Sequence, residues 1–79
     1  MKLTEAEKYH NYIILPIGFS GHGKMTESEE RRVREMGILE GEPVYILGRA
    51  FGGGIIVRLR GCNAVIRRHF AQWIRVKPV

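Results

Sequence analysis

Short apolar runs, the glycine turns between them, and one charged helix bounded by a capping box and Gly37 predict a mainly β chain. The architecture they imply is a small SH3-like β-barrel with one α-helix between the first and second strands and short helical turns elsewhere. Residues 1–79 are expected to form one domain, because no linker, repeat or low-complexity block interrupts them. A chain this short buries roughly 60% of its unfolded surface, which favours a shallow binding surface over a deep catalytic cleft.

Each element has its own local warrant. Thr4-Glu5-Ala6-Glu7 has capping-box spacing and predicts a short N-terminal helical segment within residues 1–11. Tyr12 to Ile17 is apolar enough for the first strand, with Pro16 placing it at an edge or bend. Gly18 to Lys24 reads as a glycine-rich loop. Thr26 followed by Glu29 gives a second capping box, and Gly37 stands where a helix needs a left-handed residue to stop. Glu27 and Arg31, and Glu30 and Arg34, are spaced as i,i+4 pairs. Only Val33 and Met36, with Met25 before the cap, offer an apolar stripe, so the helix is expected to lie on the surface. Val44–Leu47 and Ile55–Arg60 are strands joined across Phe51-Gly52-Gly53-Gly54. A Gly61-Cys62-Asn63 turn leads to Ala64–Arg67, then a helical turn within residues 68–72 and a last strand from Trp73 to Lys77. Period-two alternation puts Ile55, Val57, Leu59, Ala64, Ile66, Ile74 and Val76 inward, and Arg58, Arg60, Arg67, Arg75 and Lys77 outward.

Composition narrows the function classes. There are 13 basic residues against 8 acidic ones, for a net charge of +5, and every acid is Glu. The absence of Asp argues against magnesium–phosphate chemistry, which usually relies on a well-placed Asp. A single cysteine, Cys62, cannot close an internal disulfide. No run approaches the roughly 18 apolar residues of a membrane span, and the start lacks the apolar core of a signal peptide. A cytoplasmic protein with no direct membrane insertion is expected.

Among motifs, Gly18-Phe19-Ser20-Gly21-His22-Gly23-Lys24-Met25 comes nearest to chemistry. It follows the phosphate-binding pattern except that Met25 replaces the hydroxyl residue that holds magnesium. A flexible glycine turn is the better reading. His10, His22 and His69 are dispersed and Cys62 stands alone, so no metal site and no cofactor are expected. Ser20 and His22 lack an orienting acid nearby in sequence, and Cys62 falls in a turn, so no catalytic residue is expected and the chain reads as a non-enzyme. The strongest positive signal is the outward arginine face of Arg58, Arg60, Arg67 and Arg75 with Trp73 beside it. It suits a phosphate backbone with a stacked base, an acidic protein groove, or simply a solvated surface.

The stretch from Arg31 to Val44 resembles the helix-to-strand corner of the FeoA family, whose pattern runs Arg-Leu-x-x-Leu-Gly-Leu-x-Pro-Gly-x-x-Val. Arg32-Val33 and Met36-Gly37-Ile38-Leu39-Glu40-Gly41 through Val44 follow it, with Glu40 where the family commonly has proline. Ala50-Phe51-Gly52-Gly53-Gly54 keeps the alanine and glycine of the next family loop but not its prolines. Val57-Arg58-Leu59-Arg60-Gly61, Ile66-Arg67-Arg68 and Ala71 with Ile74 and Val76 match the later elements. Before the first strand, Tyr9-His10-Asn11 replaces the usual Pro-Gly. This resemblance implies a cytoplasmic SH3-like accessory protein, a regulator of ferrous iron transport and transition-metal homeostasis. Its partner would be FeoB, a membrane permease with a GTP-binding domain. A nucleic-acid-binding barrel using the arginine face is the alternative and the less favoured one. Phe70 and Trp73 occupy slots that are usually polar in the family. With Arg67 and Arg75 they form a candidate exposed aromatic patch, unless they cover the bottom of the barrel. Arg58, Arg60, Arg67, Phe70, Trp73 and Arg75 are thus the candidate partner-binding residues, and open strand edges leave room for pairing or swapping between copies.

Overall fold

In the computed structural model, which describes residues 1–16 and 26–79, five antiparallel strands form one sheet in the order β4-β3-β2-β1-β5. The strands are β1 (Asn11–Ile14), β2 (Pro43–Arg49), β3 (Ile55–Leu59), β4 (Cys62–Ile66) and β5 (Val76–Pro78). Helix α1 (Glu27–Glu35) lies between β1 and β2, and α2 (Arg68–Ala71) joins β4 to β5. β2 carries a register irregularity between Ile46 and Gly48, where Leu47 has no partner on β3. Such a bulge bends a strand and increases its twist, letting the sheet bend around its apolar face.

Alternation fills the core. Tyr12 and Ile14 of β1, Val44 and Ile46 of β2, and Ile55, Val57 and Leu59 of β3 all point into one cluster. Ile66, Ile74 and Val76 join them, and Ala64 packs against the cluster half-buried. Arg58, Arg60, Arg67, Arg75 and Lys77 are exposed, as period two requires. The mainly β, SH3-like expectation holds, but among the described residues the sheet is open rather than a closed barrel, because β4 and β5 stand at its ends and do not pair with each other.

Helix α1 begins as its sequence dictates. The Thr26 hydroxyl accepts the Glu29 N–H at 3.2 Å, and the Glu29 carboxylate accepts the Thr26 N–H at 2.9 Å. Gly37 ends the helix with φ +91°, a conformation costly to any residue with a Cβ. Of the two spaced ion pairs, Glu30–Arg34 closes at 3.4 Å and Glu27–Arg31 does not. Met36 is exposed, and Val33 docks the helix together with the shielded side chain of Glu30. Position 30 is buried because it lies one turn before Val33 on the same face.

Several boundaries differ from the sequence reading. Helical structure before β1 is confined to a 3₁₀ turn at Leu3–Glu5, and the acid that closes its box is Glu5, accepting the Lys2 N–H at 2.7 Å. Asn11 already belongs to β1, which ends two residues before Pro16 and pairs on both sides. Pro16 thus never meets the ladder, and β1 is an interior strand rather than an edge. The β3–β4 turn is Arg60-Gly61, with φ of +51° and +78°, so Cys62 is the first residue of β4, opposite Leu59. β5 starts at Val76, because Trp73 still belongs to the turn that closes α2.

Candidate functional site

The N-terminal residues complete a surface groove. Leu3 donates its N–H to the Ile74 carbonyl at 2.7 Å, and Val76 donates to the Met1 carbonyl at 2.8 Å. Lys2 and Arg75 form an isolated antiparallel bridge between these exchanges. Leu3 is driven into this position by burial, being 1% exposed, with Ala6 buried beside it in the core. Docking it sets Met1, Lys2 and Glu5 beside Gln72, Trp73 and Arg75 around a groove of about 320 Å³. The indole is half-buried, and two cations flank it against the single carboxylate of Glu5, which is already engaged by the Lys2 N–H. An apolar wall with a net positive rim suits an acidic or carboxylate-bearing protein segment that carries an apolar side chain.

The six candidate residues do not form one patch. Trp73 and Arg75 line the groove, and Arg67 is exposed at the start of α2. Phe70 is not on the surface: at 8% exposure it belongs to the core cluster, on the face of α2 that also buries Ala71. Arg58 and Arg60 lie at the other end of β4, whose five residues span roughly 17 Å of extended chain. Both are also engaged. Arg58 Nε donates to Asn63 Oδ1 at 3.2 Å, and Arg60 is bound to Glu42 at 2.8 Å, which raises its already high pKa. Sequence reasoning missed Lys2, Glu5 and Gln72, and the apolar pair Leu3 and Ala6 was the signal that the N-terminal segment docks.

A second polar link joins the helices. Glu29, already held by the Thr26 cap, meets the His69 ring of α2 through its other oxygen. The Thr26 N–H, and then His69, hold its carboxyl below the ordinary glutamate value. Among the described residues no three of His, Cys and Glu converge on one point. The near phosphate-binding motif at 18–25, with His22 and Lys24, lies outside the described residues.

Known proteins share this fold. The FeoA domain matches residues 1–78. A FeoA-like protein of Clostridium acetobutylicum is 29% identical, with TM-score 0.81 over 100% of this chain and 86% of that one. The FeoA protein of Chlorobium tepidum is 24% identical, with TM-score 0.79 over 100% of this chain and 70% of that one. The zinc-complexed FeoA of Stenotrophomonas maltophilia, described as an SH3 domain protein and a candidate ferrous iron transport activating factor, is 21% identical. Its TM-score is 0.73 over 98% of this chain and 89% of that one. No curated protein matches the chain. The bulged five-stranded sheet, the helix inserted between β1 and β2, and a domain match over nearly every residue meet in one conclusion: this chain belongs to the FeoA family.

Proposed function

We propose that this FeoA-family chain is a cytoplasmic, non-enzymatic accessory protein of bacterial ferrous iron transport, and that it acts by binding the FeoB-type permease. The observation that carries the reading is the FeoA domain match over residues 1–78. The activating-factor description of the Stenotrophomonas relative points the same way. Among the described residues no helix is long and apolar enough to cross a membrane, so contact with the permease would be made by surface residues. The Trp73 groove, rimmed by Lys2 and Arg75, is the surface with the character of a protein contact. A half-buried tryptophan beside an arginine supplies both preferred anchor types of protein interfaces.

The test is a pull-down with tagged protein from lysate of its iron-starved host, washed at low and then high salt. Retention of a large GTP-binding permease through the high-salt wash is expected. Its loss with Trp73→Ala or Arg75→Glu, at little changed melting temperature, would assign the contact to the groove. The nucleic-acid reading retains one specific observation: Arg67, Arg68 and Arg75 make no ion pair among the described residues. Recovery of RNA or DNA that washes away log-linearly with salt would favour it and overturn the transport reading.

A further inference from the structure

The two ends of the sheet are treated differently. On β5 the outermost residues are Lys77 and Pro78, and Met1 and Lys2 bridge against Val76 and Arg75. A lysine, a proline and a covering segment are the usual devices that stop an edge from pairing with another chain. β4 reads Cys62-Asn63-Ala64-Val65-Ile66, with no charge, no proline and no bulge in its ladder. Among the described residues it pairs with β3 alone.

The register shows which groups β4 leaves open. A two-residue turn at Arg60-Gly61 makes Leu59 and Cys62 a hydrogen-bonded pair, so the next such pairs are Val57–Ala64 and Ile55–Ile66. Asn63 and Val65 sit at the alternate positions, and their N–H and C=O groups point away from β3. Val65 is also 51% exposed, a large apolar side chain on the free strand. An unpaired donor and acceptor row with an exposed apolar residue is what strand addition requires.

Charge decides what can be added. Arg67 and Arg68 follow β4 at one end, exposed and outside any ion pair among the described residues. Arg58 and Arg60 stand at the other end, Arg58 bonded to Asn63 and Arg60 paired with Glu42 at 2.8 Å, so the positive charge of this edge open to a partner lies chiefly at the Arg67-Arg68 end. Antiparallel pairing of β4 with its own copy would set Arg60 of one chain near Arg67 of the other, and like charges facing across strands are destabilising. We propose that the free edge of β4 takes an added strand from a partner protein: an extended segment with alternate apolar residues at its centre and acidic residues at its ends. This inference is independent of the transport reading, since it is tested with purified protein and without the permease.

The probe is a synthetic peptide, Glu-Glu-Val-Thr-Val-Thr-Glu-Glu, titrated into isotope-labelled protein and followed by amide NMR shifts. The largest shifts are expected at Asn63 and Val65, saturating in the millimolar range or below. A version with lysine at both ends should bind roughly ten-fold more weakly. Val65→Pro removes one outward N–H without touching the bonds to β3, so it should abolish binding while the other resonances keep their dispersion. The double variant Arg67→Glu, Arg68→Glu keeps the edge and should weaken the acidic peptide roughly ten-fold, which decides the matter should Val65→Pro not fold. No shifts, shifts centred elsewhere, equal binding of the lysine peptide, or unchanged binding by these variants would overturn the proposal. Concentration-dependent self-association that moves the same two amides would overturn it too, assigning the edge to a second copy.

Discussion

Phe70 and Trp73 stand three residues apart yet meet different surroundings. Phe70 enters the core from α2, while Trp73 turns its indole to the groove behind the N-terminal segment. Truncating the buried ring leaves a cavity, so Phe70→Ala should cost about 3 kcal/mol in urea unfolding, and Trp73→Ala clearly less. Arg60 shows how a single contact supports an unusual backbone. It occupies the left-handed region at φ +51°, where turns favour Asn or Gly, and its side chain is fastened to Glu42 at 2.8 Å. Glu29 carries a pH dependence. Its folded pKa lies below the ordinary value of 4.5, through the Thr26 N–H first and His69 second. The stability it contributes is therefore complete above the unfolded value and is lost as pH falls through the lowered folded value. Glu29→Gln should lower the melting temperature at neutral pH and flatten its fall below about pH 4.5, read by thermal melts across that range.

At the scale of elements, α1 is held by its ends more than by its exposed face. Val33 and Glu30 are its only buried residues, Glu29 is half-buried at the cap, and the other positions are exposed polar or charged side chains. Thr26→Ala should cost about 1 kcal/mol through loss of the cap. Gly37→Ala should cost about 1–2 kcal/mol, because a Cβ is disfavoured at φ +91° even though nothing crowds the position. The sites lie at opposite ends of a nine-residue helix, so urea unfolding of the double variant should return the sum of the two. The start and stop of this helix were legible in the sequence because capping is chemistry between residues within one turn. The β3–β4 turn was legible only approximately. Gly61 marked it, but that Arg60 rather than Cys62 takes the neighbouring turn position follows from the β3–β4 register, which pairs Leu59 with Cys62.

For the whole molecule, the N-terminal segment acts as a clasp on the last strand. Leu3 and Ala6 sit in the core, and Met1 and Leu3 exchange backbone hydrogen bonds with Ile74 and Val76. Deleting residues 1–6 should cost about 4 kcal/mol from lost burial and hydrogen bonding, much of the stability of a small domain. A melting curve by circular dichroism should show a large drop, and the Trp73 groove would lose one wall. The mainly β class, the capped helix between the first two strands, and the inward-facing residues of β3 and β4 could be read from residue order, because periodicity and capping act over a few residues. Residue order also carried the family resemblance through the Gly37–Gly41 corner. That β1 is interior, that Phe70 is core while Trp73 lines a groove, and that β4 has an open edge among the described residues emerge from the folded chain alone. Those outcomes rest on pairings such as Lys2 with Arg75 and Ile14 with Val76, between residues far apart in the chain, which no local pattern encodes.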